Sequence, residues 1–288
     1  MDVSVLELRD GRKLAWDEMG PPDGVPVLGF HGTPGSRHHL LVDAAPFERA
    51  GVRMISSDRP GYGLSTPQKD RTLRGWADDV AQLADHLGLD RFAVVGASGG
   101  GPHSLACAHF LADRVTVAAT LSGVAPISEP GSEAGMMPVN RFFARMGRRR
   151  PMVNALPFGL LAVMGRRATD RVMAAMDKQM PEPDRRAIAQ PALRAAFRRD
   201  LAEASRTTGR AAAREFGMLA HDWGFSLGDI TVPVHLWQSD QDINVPIAHA
   251  RRLAEAIPTS VLHLTEGEGH LMAYDHLDEI LPILGAAS

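Results

Sequence analysis

The chain has 288 residues, 44% of them hydrophobic, enough to bury one large core without disulfide or metal staples. Its single cysteine, Cys107, has no partner for an internal bridge, and within Leu105-Ala106-Cys107-Ala108 it reads as a buried, inert thiol. The formal net charge of −3 gives no general attraction to nucleic acid or anionic membrane, and no apolar run approaches the roughly 20 residues of a membrane span.

The first eight residues alternate like a strand and lack the basic region and apolar core of a secretion signal, so a soluble cytoplasmic protein is expected. The Asp10-Gly11 turn joins strands expected at 3–8 and 13–19 as an antiparallel lead-in. Further strands are expected at 25–31, 53–58, 91–97, 115–122, 232–237 and 261–265. They alternate with stretches of helical periodicity such as 72–87 and 246–256. Such alternation implies an α/β fold: a mostly parallel eight-stranded sheet with helices on both faces. Its ligand-binding loops would lie together at the carboxyl ends of the parallel strands.

From about 126 to 221 the alternation stops, and arginine, methionine and alanine dominate. This stretch reads as an inserted helical cap, with helices near 140–148, 157–163, 167–176, 184–189 and 191–219, the last broken near Thr207-Thr208-Gly209. The expected division is therefore core 1–125, cap 126–221 and core 222–288. Met136, Met137, Met152, Met164, Met173, Met176 and Met180 could line an adaptable apolar pocket, or simply pack cap on core. The runs Arg148-Arg149-Arg150 and Arg166-Arg167 could pair with a substrate carboxylate or form a solvated face.

The most informative stretch is Gly96-Ala97-Ser98-Gly99-Gly100, directly behind the apolar run Phe92-Ala93-Val94-Val95. A strand turning sharply into a helix strains the residue at the apex and crowds the positions two before and two after it, where this chain has glycine. Ser98 would be presented at the apex, and the amides opening the following helix favour a developing negative charge. A phosphate-cradling reading fails because the spacing is neither G-x-G-x-x-G nor Walker A, and no lysine follows. Serine requires a histidine base and an orienting acid. Downstream loops supply both: Gln238-Ser239-Asp240-Gln241-Asp242-Ile243-Asn244-Val245-Pro246 carries two candidate aspartates, and Thr265-Glu266-Gly267-Glu268-Gly269-His270 ends in a histidine. The order Ser, Asp, His is that of one hydrolase architecture.

Two further motifs complete a resemblance. Phe30-His31-Gly32-Thr33-Pro34-Gly35-Ser36 is similar to the His-Gly-x-Pro-Gly oxyanion loop of α/β-hydrolases, and Asp58-Arg59-Pro60-Gly61-Tyr62-Gly63-Leu64-Ser65 resembles that family's Asp-x-x-Gly-x-Gly-x-Ser turn. The chain thus resembles a serine hydrolase of the α/β-hydrolase fold with a helical cap, over nearly the whole core. The resemblance implies Ser98 as nucleophile, His270 as general base and then acid, and the Thr33 and Gly99 amides as oxyanion hole. Family members usually place the triad aspartate four residues before the proline that starts the next helix, which selects Asp242 over Asp240. His31, Gly32, His103 and Trp223 are the candidate substrate contacts; for His31 the alternative is bracing the backbone, for His103 a satisfied helix histidine, and for Trp223 an anchor at the cap junction.

No histidine has a zinc-type partner, so neither metal nor other cofactor is expected. The expected partner is a small-molecule substrate, with no nucleic acid and no membrane. The resemblance implies hydrolysis through an acyl-enzyme, with a small or medium apolar ester or lactone as default substrate. Carbon–carbon bond hydrolysis, aminopeptidase activity, and a lyase, cyclase or ligand-binding role are the alternatives. The elbow serine disfavours the family branches that use aspartate or cysteine there.

Overall fold

A computed structural model describes residues 3–128, 131–207 and 209–286. Its strands are β1 Ser4–Glu7, β2 Lys13–Met19, β3 Val25–Phe30, β4 Val52–Ser57, β5 Phe92–Ala97, β6 Val115–Leu121, β7 Val234–Ser239 and β8 Ser260–Thr265. They form one eight-stranded sheet in the order β1-β2-β4-β3-β5-β6-β7-β8. β2 pairs antiparallel with both β1 and β4, while all pairings from β4 to β8 are parallel. β7 begins two residues later than the sequence suggests, because Pro233 has no amide hydrogen to donate to a ladder.

Helices α1 (Ala44–Ala50) and α10 (Leu277–Gly285) cover one face of the sheet; α2 (Leu73–His86), α3 (Gly101–Phe110) and α9 (Ala248–Ala256) cover the other. The two-residue period of a strand explains the split. Along β5, Phe92 and Val94 join the cluster with Trp76, Leu83 and Leu105, while Ala93, Val95 and Ala97 join Phe47, Leu281 and Leu284. Thr72 caps α2 by accepting a hydrogen bond from Gly75 N at 3.0 Å, and the helix turns Leu73, Trp76, Ala77, Val80, Leu83 and Ala84 inward at helical spacing.

Five helices lie between β6 and β7: α4 Pro138–Arg149, α5 Ala155–Asp177, α6 Glu182–Ile188, α7 Pro191–Ala204 and α8 Arg210–Leu219. The separate helices expected at 157–163 and 167–176 appear as the two halves of α5, which meet at Ala168, where the backbone leaves helical values (φ −153°, ψ 49°). The long helix expected at 191–219 is α7 followed by α8; the middle residue of the expected break, Thr208, lies outside the described residues, as does the beginning of the first alternating segment. No helix among the described residues is long and apolar enough to cross a membrane.

Candidate active site

Ser98 follows directly on β5 and has a φ of 53°, in the left-handed region that non-glycine residues seldom adopt. The turn is so close that a Cβ on Gly96 would run into the Gly100 carbonyl, and a Cβ on Gly100 into the carbonyls of Phe30 and His31. The chain then enters a 3-10 turn, Ser98–Gly100, and continues as α3. The loop after β3 packs against this elbow: a Cβ on Gly99 would lie 3.5 Å from the Thr33 amide nitrogen. That amide makes no hydrogen bond among the described residues. Two backbone donors therefore stand beside the serine, as an oxyanion requires.

Asp242 and His270 come from the loops after β7 and β8 and meet at 2.7 Å, Oδ2 to Nδ1. The same carboxylate accepts from the Asn244 and Val245 amides at 2.8 and 2.9 Å and from Gln238 Nε2 at 3.0 Å. Burial works against its charge, yet the neighbouring imidazole and these hydrogen bonds outweigh burial and hold Asp242 below the usual carboxylate value. Burial likewise opposes charging of His270, but the charge and hydrogen bond of Asp242, aided by Asp184, raise it above the ordinary histidine value. Asp240 is exposed and accepts from the Gly267 amide at 2.8 Å, a turn brace with no contact to His270. The geometry thus sets Asp242, not Asp240, against the imidazole.

Ser98, Gly99, Gly32, Thr33 and His270 all line one cavity of about 290 Å³. The segment between β6 and β7 supplies most of its apolar wall, including Met136, Leu161, Met173, Met176, Met180 and Phe216. Met152 and Met164 instead face outward, 47% and 48% exposed, and Met137 does not reach the cavity. No arginine or lysine lines it among the described residues; its charged lining is three aspartates, Asp177, Asp184 and Asp200.

Three of the four residues suggested as substrate contacts do not line the cavity, and each is held elsewhere by a stronger demand. His31 is fully buried, with Nδ1 bonded to its neighbour's carbonyl Gly32 O at 2.7 Å and Nε2 accepting from Arg59 N at 3.2 Å. Burial, then the Arg59 charge, pushes it well below the ordinary histidine value, so it serves as a neutral backbone brace. His103 lies behind the elbow, bonding Gly99 O at 2.9 Å and standing edge-on to Trp76. Trp223 donates to Leu219 O at 3.2 Å and packs in the α2/α3 core. Gly32 does line the cavity.

Sequence reasoning missed three carboxylates of the helices between β6 and β7 that grip the loops around Ser98 and His270. Glu215 of α8 is fully buried and accepts from Arg59 Nε at 3.0 Å, from Arg71 at 2.6 Å and from the Thr33 hydroxyl. Arg59 in turn donates to the His31 and Gly32 carbonyls, so one buried ionic cluster holds the oxyanion loop. Burial would raise Glu215, but the two arginines hold it well below the usual carboxylate value. Asp200 of α7 accepts from Ser36 N at 2.7 Å and bonds His39 Nδ1 at 3.0 Å. Asp184 of α6 accepts from Leu271 N, next to His270, at 2.9 Å. A signal existed for two of them: Glu215 sits on the buried stripe with Ala211, Ala212 and Leu219, and Asp200 with Leu193, Ala196 and Ala204. A carboxylate on an apolar helix face needs a buried partner.

Comparisons with known proteins agree with this architecture. The chain is 32% identical over 127 residues to a bifunctional esterase/perhydrolase of Acinetobacter calcoaceticus, covering 43% of this chain and 46% of that protein. It is 32% identical over 119 residues to a proline iminopeptidase of Arabidopsis thaliana, covering 38% of this chain and 30% of that protein. The matched stretches thus span less than half the length of these curated relatives. Among solved structures, an esterase from Exiguobacterium antarcticum superposes with a TM-score of 0.69 at 20% identity, covering 98% of both chains. The family model described as alpha/beta hydrolase fold matches residues 25–277, and the chain belongs to that family.

Proposed function

We propose that the protein is a serine hydrolase that cleaves small or medium apolar carboxylic esters or lactones through an acyl-enzyme. The observation that carries this reading is the 2.7 Å Asp242–His270 pair in the same apolar cavity as a positive-φ serine and the Thr33 and Gly99 amides. In the proposed reaction a substrate carbonyl enters beneath a cap formed by 126–221. His270 takes the Ser98 proton as Oγ attacks, and the two amides receive the oxyanion, each donor contributing about 3 to 4 kcal/mol in comparable chemistry. Imidazolium then protonates the leaving group, and water, activated by the same imidazole, releases the acyl chain. Asp242 fixes the tautomer that leaves Nε2 for this work.

Covalent labelling by a fluorophosphonate, followed by a panel of p-nitrophenyl esters of increasing acyl length, tests the reading. Labelling of wild type and none of Ser98→Ala is expected, with turnover falling about 10⁶-fold in that variant. An unlabelled wild type that leaves every ester intact would sink it.

A second reading draws on the cavity's charge. Asp184 is 2% exposed, lines the cavity, and its Oδ2 has no hydrogen-bond partner. With no arginine or lysine among the described lining residues, an amine-bearing ester or amide fits better than the anionic substrates of carbon–carbon hydrolases, and one of the relatives is named as an iminopeptidase. Aminoacyl anilides run beside the ester panel separate the two readings.

A further inference from the structure

Several large apolar side chains of the cap are exposed where solvent should favour polar groups. On the first half of α5, Leu156 and Leu160 are 81% and 61% exposed, and Val163 and Met164 continue the same stripe at helical spacing. The opposite face of that helix buries Phe158, Ala162 and Gly165 and turns Leu161 to the cavity, so the stripe is not an unfilled core contact. Met152 and Val153 on the preceding 3-10 turn, Pro151–Asn154, are also exposed, as are Val139 and Phe142 on α4.

Charge tells what this surface faces. The stretch 134–169 holds seven arginines, no lysine and no acidic residue, in a chain whose formal net charge is −3. Arg145 and Arg148 are paired with Glu133. Arg149 and Arg150, just before the stripe, and Arg167, just after it, are exposed and form no ion pair among the described residues. An exposed apolar helical stripe with arginines at both ends, the next acid on the helix, Asp170, being paired with Arg198, has the composition of a helix lying in a lipid–water interface. An acidic protein partner would match the charge, but a run of exposed leucine, valine and methionine suits acyl chains, with the guanidinium groups at phosphate level.

We infer that the outer face of the cap, the α5 stripe 156–164 with Arg149, Arg150 and Arg167, docks on an anionic lipid surface. The site is separate from the Ser98 cleft, so it stands or falls independently of the proposed hydrolysis. The overall negative charge hides it, because attraction over a Debye length of about 8 Å follows the local patch and not the total.

Sedimentation of the full chain with vesicles of phosphatidylcholine, with and without phosphatidylglycerol, tests it. Binding is expected only with phosphatidylglycerol and should weaken as salt is raised. Arg149→Glu combined with Arg150→Glu should weaken binding by at least roughly tenfold, given a factor of about five for each arginine near such a surface. Leu156→Ser combined with Leu160→Ser should do so by a similar factor. All four positions are exposed, so both variants should melt cooperatively at the wild-type temperature. Absence of wild-type binding, or variants that bind as wild type does, overturns the inference. So does a dimer in analytical ultracentrifugation that the leucine variant dissolves, which would assign the stripe to a second copy of the chain.

Discussion

On the sheet side of the cleft, reactive groups sit on short loops at strand ends, and each loop is braced by backbone hydrogen bonds close in sequence, as Asp242 is by Asn244 and Val245. On the side of the helices between β6 and β7, polar groups act at long range: Glu215, Asp200 and Asp184 come from three different helices, the first two holding the loop after β3 and the third the loop after β8. The sheet side places the chemistry, whereas the cap side holds those loops together and shapes the space in front of them. Damage to the first should therefore appear as lost turnover, and damage to the second as lost stability or altered selectivity.

The largest test of that division is Asp242→Asn, which should lower kcat about 10⁴-fold by destabilising the imidazolium and its tautomer, with little change in melting temperature. Asp240→Asn, two residues away from Asp242 but bonded to the Gly267 amide and not to the histidine, should leave kcat within about twofold. Should the two variants behave alike, the pairing drawn here is wrong. Next comes Glu215→Leu, which leaves Arg59 and Arg71 buried without a counter-charge and should cost about 3 to 5 kcal/mol, read by chemical denaturation. Because the folded-state pKa of Glu215 lies below its ordinary 4.5, its contribution is present above that pH and drains away as pH falls. The variant should accordingly flatten the acid limb of the stability curve.

On the cap wall, Met173→Ala should change selectivity more than rate, tilting the kcat/KM ratio of longer to shorter acyl esters upward by about tenfold. The smallest expected effect is on the pH profile. With His270 raised above 6.5, the acid limb of kcat/KM should lie above that pH, since in the proposed reaction only the neutral imidazole accepts the Ser98 proton. Asp184→Asn removes one of the charges that raises it, so the limb should slide toward lower pH by a fraction of a unit. A limb that moves upward would contradict the arrangement of charges around the imidazole.

This same division decided how much could be read from sequence. Strand positions came through because both faces of the sheet are buried and the runs Phe92–Ala97 and Val115–Leu121 are almost wholly apolar. The elbow came through because close packing leaves Gly96 and Gly100 no alternative. Between β6 and β7, composition misled: arginines dominate the stretch, yet the charged side chains turned toward the cavity are aspartates, while Arg149, Arg150 and Arg167 turn to solvent. Helical periodicity says which residues share a face but not which face meets the core. His103 shows the same limit, one turn beyond the serine in sequence yet behind it in space.

β6 and β7 are hydrogen-bonded neighbours, in register from Ala118 against Val234 to Leu121 against Trp237, although the whole helical excursion separates them along the chain. The strands that lead to the hydroxyl, the carboxylate and the imidazole are tied in register by the sheet itself across that gap. An ancestor could therefore exchange or enlarge the excursion in one step and acquire a new diet without relearning how to break a bond. Selection on substrate range and selection on chemistry would then act on separate stretches of the gene.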